Sequence, residues 1–165
     1  MPDTISTLEC THRFTSVIPG TAEAAFRFHD EPDAFRQLTP FPIFVQVHRD
    51  DRTSLTEGEV EFTLWFAFLP LRWTARHEPG PTEFSFADRM LTGPMKTWRH
   101  VHIFRDVPGG VELTDCLTLD YPDKGFYALF TRLFFSGLPL RILFFYRHLR
   151  TRFGLRKYLR GEAQV

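Results

Sequence analysis

The sequence predicts an α+β fold, an antiparallel sheet of about seven strands packed against a long C-terminal helix. Three observations carry this. Residues 43–120 hold six segments of alternating apolar and polar residues divided by turn formers, a strand and two short helical segments precede them, and helical spacing returns from about 125 to 160. Runs of strands and helices segregated along the chain, with tight connections between strands, are the pattern of an antiparallel meander. At 165 residues one hydrophobic core suffices, so we expect one domain spanning residues 1–165.

His12 to Ile18 reads as the first strand, ending at Pro19-Gly20. Thr21 is placed to cap a helix over Ala22–Asp30, with Ala24 where a full capping box has Glu or Gln; Glu31-Pro32 breaks it, and Asp33–Leu38 fits a second short helix. The meander is expected over residues 43–50, 58–68, 71–78, 82–90, 95–105 and 110–120. Thr56-Glu57-Gly58, Leu69-Pro70, Pro79-Gly80-Pro81, Gly93-Pro94 and Pro108-Gly109-Gly110 supply the turns. The last segment is expected to be one helix kinked at Pro139, which has no N–H and clashes with the preceding turn.

The first half of that segment is apolar on most faces, which raises the question of a membrane span. Arg132, Arg141 and the Gly137-Leu138-Pro139 break argue against one. A helix enclosed by a sheet is apolar over a wide arc for a simpler reason. The 19 phenylalanines suit either a core or the lining of a cavity.

Net charge is zero, so nothing in the total favours nucleic acid, and none is expected as a partner. From Gly125 to Gly161 every charged residue is basic: Arg132, Arg141, Arg147, Arg150, Arg152, Arg156, Lys157 and Arg160. Such a run fits a solvated helix end matched to its own dipole, or a patch for anionic membrane or an acidic partner. The apolar half of the same segment is compatible with a homodimer interface. Cys10 and Cys116 form no CxxC pair, and the first residues lack a secretory pattern, so both thiols are expected to be reduced and the protein cytoplasmic.

The stretch Phe86-Ala87-Asp88-Arg89-Met90-Leu91-Thr92-Gly93-Pro94-Met95-Lys96-Thr97-Trp98-Arg99-His100-Val101-His102-Ile103-Phe104 resembles the F-x-D-x-x-x-x-G-P-x-x-x-W-x-H-x-H-x-F signature of bacterial SRPBCC proteins. That superfamily includes START domains, polyketide cyclases and the birch pollen allergen. Gly109-Gly110 with Leu113-Thr114-Asp115, and Phe145-Tyr146-Arg147-His148, continue the likeness in order over nearly the whole chain. The resemblance implies a helix-grip fold, in which a curved sheet wraps the C-terminal helix around a cavity, and the element order agrees. It implies fold more securely than activity, because the superfamily is functionally mixed.

Strand alternation puts Trp98, His100, His102 and Phe104 on one face of the strand near 95–105, and Phe84, Phe86 and Asp88 on one face of the strand before it. Asp88 and Asp115 can then meet the two histidines. Three chemistries fit: a structural network in which carboxylates hold imidazole and indole N–H groups; a His–Asp acid–base pair acting on a ketone or ester; and a metal site on the His100-x-His102 spacing, for which the sequence offers no clear third or fourth ligand. No metal or other cofactor is expected. No G-x-S-x-G elbow or phosphate loop occurs, which argues against serine hydrolase and nucleotide chemistry.

The apolar set points to a pocket. Phe62, Leu64, Phe66 and Phe68 alternate along one strand, Trp73 lies on the next, and Phe130, Leu133 and Phe134 face the sheet from the last helix; with Phe84, Phe86, Trp98, Phe104, His100 and His102 they form the candidate ligand-binding set. The expected activity is binding of a hydrophobic small molecule such as a lipid, quinone or polyketide. One alternative is a cyclase or dehydratase using His100, His102, Asp88 and Asp115; another is a membrane-surface or protein-interaction module using the Phe-rich basic helix.

Overall fold

A computed structural model describes residues 8–162, with side chains through Leu159; the basic side chain of Arg160 lies outside the described residues. The chain runs β1 (His12–Ile18), α1 (Ala22–His29), α2 (Ala34–Gln37), β2 (Ile43–Asp50), β3 (Gly58–Phe66), β4 (Leu69–Pro79), β5 (Ser85–Thr92), β6 (Thr97–Val107), β7 (Gly110–Asp120), α3 (Phe126–Phe134) and α4 (Gly137–Glu162). Thr21 caps α1 as expected, its hydroxyl accepting the Ala24 N–H at 3.2 Å. All strands pair antiparallel in one sheet of order β1-β7-β6-β5-β4-β3-β2, a meander that places the first strand beside the last.

Alternation along the strands sorts the two faces. Phe62, Trp73, Phe86, Trp98, His100, His102, Leu117 and Leu119 are buried on the inner face, while Glu59, Glu61, Arg72 and Arg76 pair across β3 and β4 outside. The inner face meets α1 at one end, where Phe28, Phe86, Phe104, Val111 and Leu155 form a core. Gly154 of α4 lies so close to the Phe28 ring that a Cβ there would stand 2.2 Å from it, and the two helices cross at that contact. At the other end Trp73, Trp98, Phe135, Leu140 and Phe144 form a second core.

Two expectations need correction. The last segment is two helices rather than one kinked helix: α3 stops at Phe134, the chain turns through Gly137 at φ +51°, and α4 leaves at 55° to α3. Pro139 falls in the first turn of α4, where the missing N–H would have had no intrahelical partner. Cys10 and Cys116 are joined in a disulfide, with Cα atoms 5.4 Å apart. The segment before β1 folds over the outer face of the sheet, so that Leu8 and Cys10 pack on Ala87, Val101, Ile103 and Cys116. The expectation of reduced thiols therefore fails.

Among the described residues no single helix is long and apolar enough to cross a membrane; α3 and α4 reach that length and composition only as a bent pair. The outward faces of both are nevertheless apolar, with Leu129, Leu138 and Phe145 about 70% exposed.

Candidate functional site

Between the inner face of the sheet, α2 with the loop after it, and the α3–α4 junction lies a cavity of about 690 Å³. Phe62, Leu64, Phe66, Trp73 and Trp98 wall it from the sheet, and Phe134, Phe135 and Leu143 from the helices. Phe41, Ile142 and Phe134 are both lining and exposed, which places the mouth between the loop after α2 and the start of α4.

Several residues of the candidate ligand-binding set sit elsewhere. Phe68 is 91% exposed, in the β3–β4 turn, and Leu133 is 60% exposed on the outer side of α3. Phe130 is buried against Phe66 and Phe134 without reaching the cavity, and Phe84 and Phe104 pack in the core under α1.

The polar part of the wall is built by register. Pairing of β5 with β6 sets Asp88 opposite His100 and Phe86 opposite His102, and pairing of β6 with β7 sets His102 opposite Asp115. His100 Nε2 and His102 Nδ1 both donate to Asp115 Oδ1, at 2.8 and 2.9 Å. His148 Nε2 of α4 donates to Asp115 Oδ2 at 2.6 Å, and the Ser16 hydroxyl donates to His148 Nδ1 at 2.7 Å. Asp115 is thus closed on every side by N–H donors, behind the wall rather than in it. Asp88 lines the cavity, its Oδ2 lying 3.2 Å from His102 Nε2 and 3.5 Å from His100 Nδ1. Asp88, His100 and His102 each bring one ligand-type atom within 4.8 Å of the others, a third metal-ligand candidate that the sequence spacing did not reveal.

Burial works against ionisation of both carboxylates, but the imidazoles win: hydrogen bonding from His102 holds Asp88 below the usual range, and the charge of His100 holds Asp115 well below it. Burial also presses on the bases. His100 is pushed down by burial and by the charge of His102, whereas for His102 the hydrogen bonds to Asp115 and Asp88 outweigh burial and raise it. The two bases are therefore driven apart, His100 toward its neutral form and His102 toward its protonated one. The Phe86 ring stacks on His102 at 4.2 Å between centroids, and the His77 ring stacks on the far side of Phe86 at 5.8 Å.

Four contributors escaped the sequence reading: His29, Arg147, His148 and Ser16. Arg147 lines the cavity, and among the described residues no carboxylate lies within ion-pair distance of its guanidinium. Leu140, Phe144, Arg147, His148, Thr151 and Leu155 follow the spacing of one helix face, and that stripe would have pointed Arg147 and His148 inward. On α1 the same spacing turns Ala22, Ala25, Phe28 and His29 toward the sheet.

The chain has the helix-grip fold. Solved structures similar over most of its length support this. A structure described as a nucleoside-diphosphate sugar epimerase from Corynebacterium glutamicum is 28% identical, with TM-score 0.67 over 93% of this chain and 31% of that protein. This chain therefore spans about a third of that relative. A protein from Thermus thermophilus is 13% identical, with TM-score 0.60 over 91% and 97% of the two chains. Ara h 8.0201, a Bet v 1-like protein, is 10% identical, with TM-score 0.59 over 91% and 97%. No protein-family model matches the chain, and no curated protein matches it.

Proposed function

We propose that the chain binds a hydrophobic small molecule in the cavity between sheet and helices, as a carrier or sequestering protein. The observation that carries this is the cavity itself: about 690 Å³ walled largely by aromatic and aliphatic side chains, in the size range of small-molecule sites. The lining favours a lipid-, quinone- or polyketide-like molecule with an acceptor group directed at Arg147. Each buried methylene contributes about 0.8 kcal/mol, so removing two from an alkyl ligand weakens binding about 15-fold.

The test is native mass spectrometry of the protein from its own host, paired with displacement of a fluorescent fatty acid. A mass excess lost on denaturation, and probe binding weakened by Leu143→Trp, which fills the cavity, are expected. A wild-type protein that binds no apolar probe, or a Leu143→Trp variant that binds it equally well, refutes the reading.

One observation favours a second reading, a cyclase- or dehydratase-type enzyme: at the cavity wall His102 stands between two carboxylates that raise its pKa, and the Nε2–H it shares with Asp88 on the cavity side is the proton a bound carbonyl would take from that carboxylate. Loss of turnover in His102→Gln with ligand binding retained supports it; loss of the fold instead assigns the pair to structure. The epimerase activity in the Corynebacterium description belongs to a protein of which this chain matches 31%, and no residue of the cavity argues for it here.

A further inference from the structure

We infer that Asp88, His100 and His102 form a binding site for one divalent first-row transition-metal ion, open toward the cavity. Asp115 Oδ1 takes the Nε2–H of His100 and the Nδ1–H of His102, so the remaining nitrogens, His100 Nδ1 and His102 Nε2, carry lone pairs when the rings are neutral. Both lie near Asp88 Oδ2, at 3.5 and 3.2 Å, and that oxygen is also an acceptor. Two ring nitrogens at these distances from one carboxylate oxygen make with it three acceptors that repel one another unless a cation sits among them, and that cation is either a proton or a metal ion.

Two of the three ligand spacings suit a metal directly, and the third pair, the two nitrogens, lies within 4.8 Å. Bonds of 2.0–2.1 Å in tetrahedral geometry separate neighbouring ligand atoms by about 3.3–3.4 Å, and the two distances from Asp88 Oδ2 bracket that value. Two imidazoles and a carboxylate, leaving positions open, are a donor set for Zn²⁺ or Fe²⁺ rather than Mg²⁺ or Ca²⁺. The second layer is already in place: each ligating imidazole is held through its other nitrogen by a carboxylate, the arrangement that fixes tautomer and ring orientation at metal sites. Asp115 is itself pinned by His148, which Ser16 holds in turn, so the rings cannot turn without breaking that chain.

Charge adds a specificity. Asp88 and Asp115 with Arg147 leave this region one unit negative when the imidazoles are neutral, so a divalent ion makes it one unit positive. The open position therefore favours an anionic oxygen donor from the cavity. The site does not depend on the apolar ligand proposed above, and its test uses metal alone.

Protein stripped with chelator is titrated with Co²⁺ and then Zn²⁺, following the visible d–d absorption of Co²⁺ and the imidazole ¹⁵N resonances of the wild type. One ion per chain is expected, with metal-induced shifts at His100 Nδ1 and His102 Nε2, and Asp88→Asn weakens binding at least about 10-fold. A folded wild type that shows no saturable Co²⁺ or Zn²⁺ binding, or shifts confined to other histidines, overturns the assignment. The resonance measurement holds even where Asp88→Asn fails to fold.

Discussion

Acidification should destabilise this protein through one residue on α1. The His29 ring packs against Phe104 at 4.8 Å and His102 at 5.6 Å between centroids, and its Nδ1–H donates to the Ala25 carbonyl at 2.8 Å. Burial, and next the charge of His102, push its pKa down from 6.5 to about 3. A base with a depressed folded-state pKa contributes stability above its unfolded value of 6.5, and that contribution is lost as pH falls toward 3. At 1.36 kcal/mol per unit, the loss is about 2 kcal/mol between pH 7 and pH 5 and about 5 kcal/mol by pH 3. One edge of the ring faces the cavity, so water there makes these values upper bounds. The assay is urea unfolding across this pH range for wild type and His29→Phe, a ring of similar shape that does not titrate. Other groups in the network also carry pH dependence, including His102, whose raised pKa makes its contribution present below 6.5 and lost as pH rises. The difference between the two proteins isolates His29. Equal losses in wild type and His29→Phe from pH 7 to pH 5 would refute the reasoning.

Asp115→Asn removes the charge on which three imidazole N–H groups converge and sets an amide donor against at least one of them; it should cost about 3–5 kcal/mol in denaturant unfolding at neutral pH. A loss under about 1 kcal/mol would mean that the network is not formed in solution. Reduction of the Cys10–Cys116 disulfide, which spans 106 residues, should lower stability by about 2–5 kcal/mol, checked by the unfolding midpoint with and without reductant. An unchanged midpoint would show that the two sulfurs are not bonded.

Much of the sheet was legible because its signal is local. Alternation and turn residues located the seven strands, with the bounds of β1 and β2 matching to the residue, and placed Trp98, His100 and His102 on one face. What failed depended on what lies opposite. Phe68 extends the alternation of β3 by one step, but the strand ends at Phe66 and Ala67 turns at φ +55°, so the ring projects into solvent. Phe104 is on the inner face as read, yet α1 covers that end of the sheet and makes it core. The Gly137-Leu138-Pro139 break was visible in the sequence, but Pro139 drew attention to the wrong residue: the chain turns at Gly137, and Pro139 sits in the first turn of α4. The disulfide required knowing that the segment before β1 crosses the outer face to Cys116, which spacing alone cannot show.

The two buried carboxylates differ in a way that separates fold from function. Removing a charge from water costs several kcal/mol, and apolar residues of similar volume are often equally stabilising, so stability alone does not call for both. Asp115 offsets that cost in full, with three imidazole donors and no face toward the cavity. Its side chain is 8% exposed, and it serves to orient the rings around it. Among the described residues Asp88 accepts one side-chain hydrogen bond, from His102 at 3.2 Å, and its side chain, which lines the cavity, is 22% exposed. It therefore keeps acceptor capacity that no other described residue uses, beside the cavity-side edges of two imidazoles whose orientation Asp115 has already set. A carboxylate kept only for the fold would be closed as Asp115 is. The open one, at the wall of an apolar cavity, is the oxygen on which the proposed metal site depends.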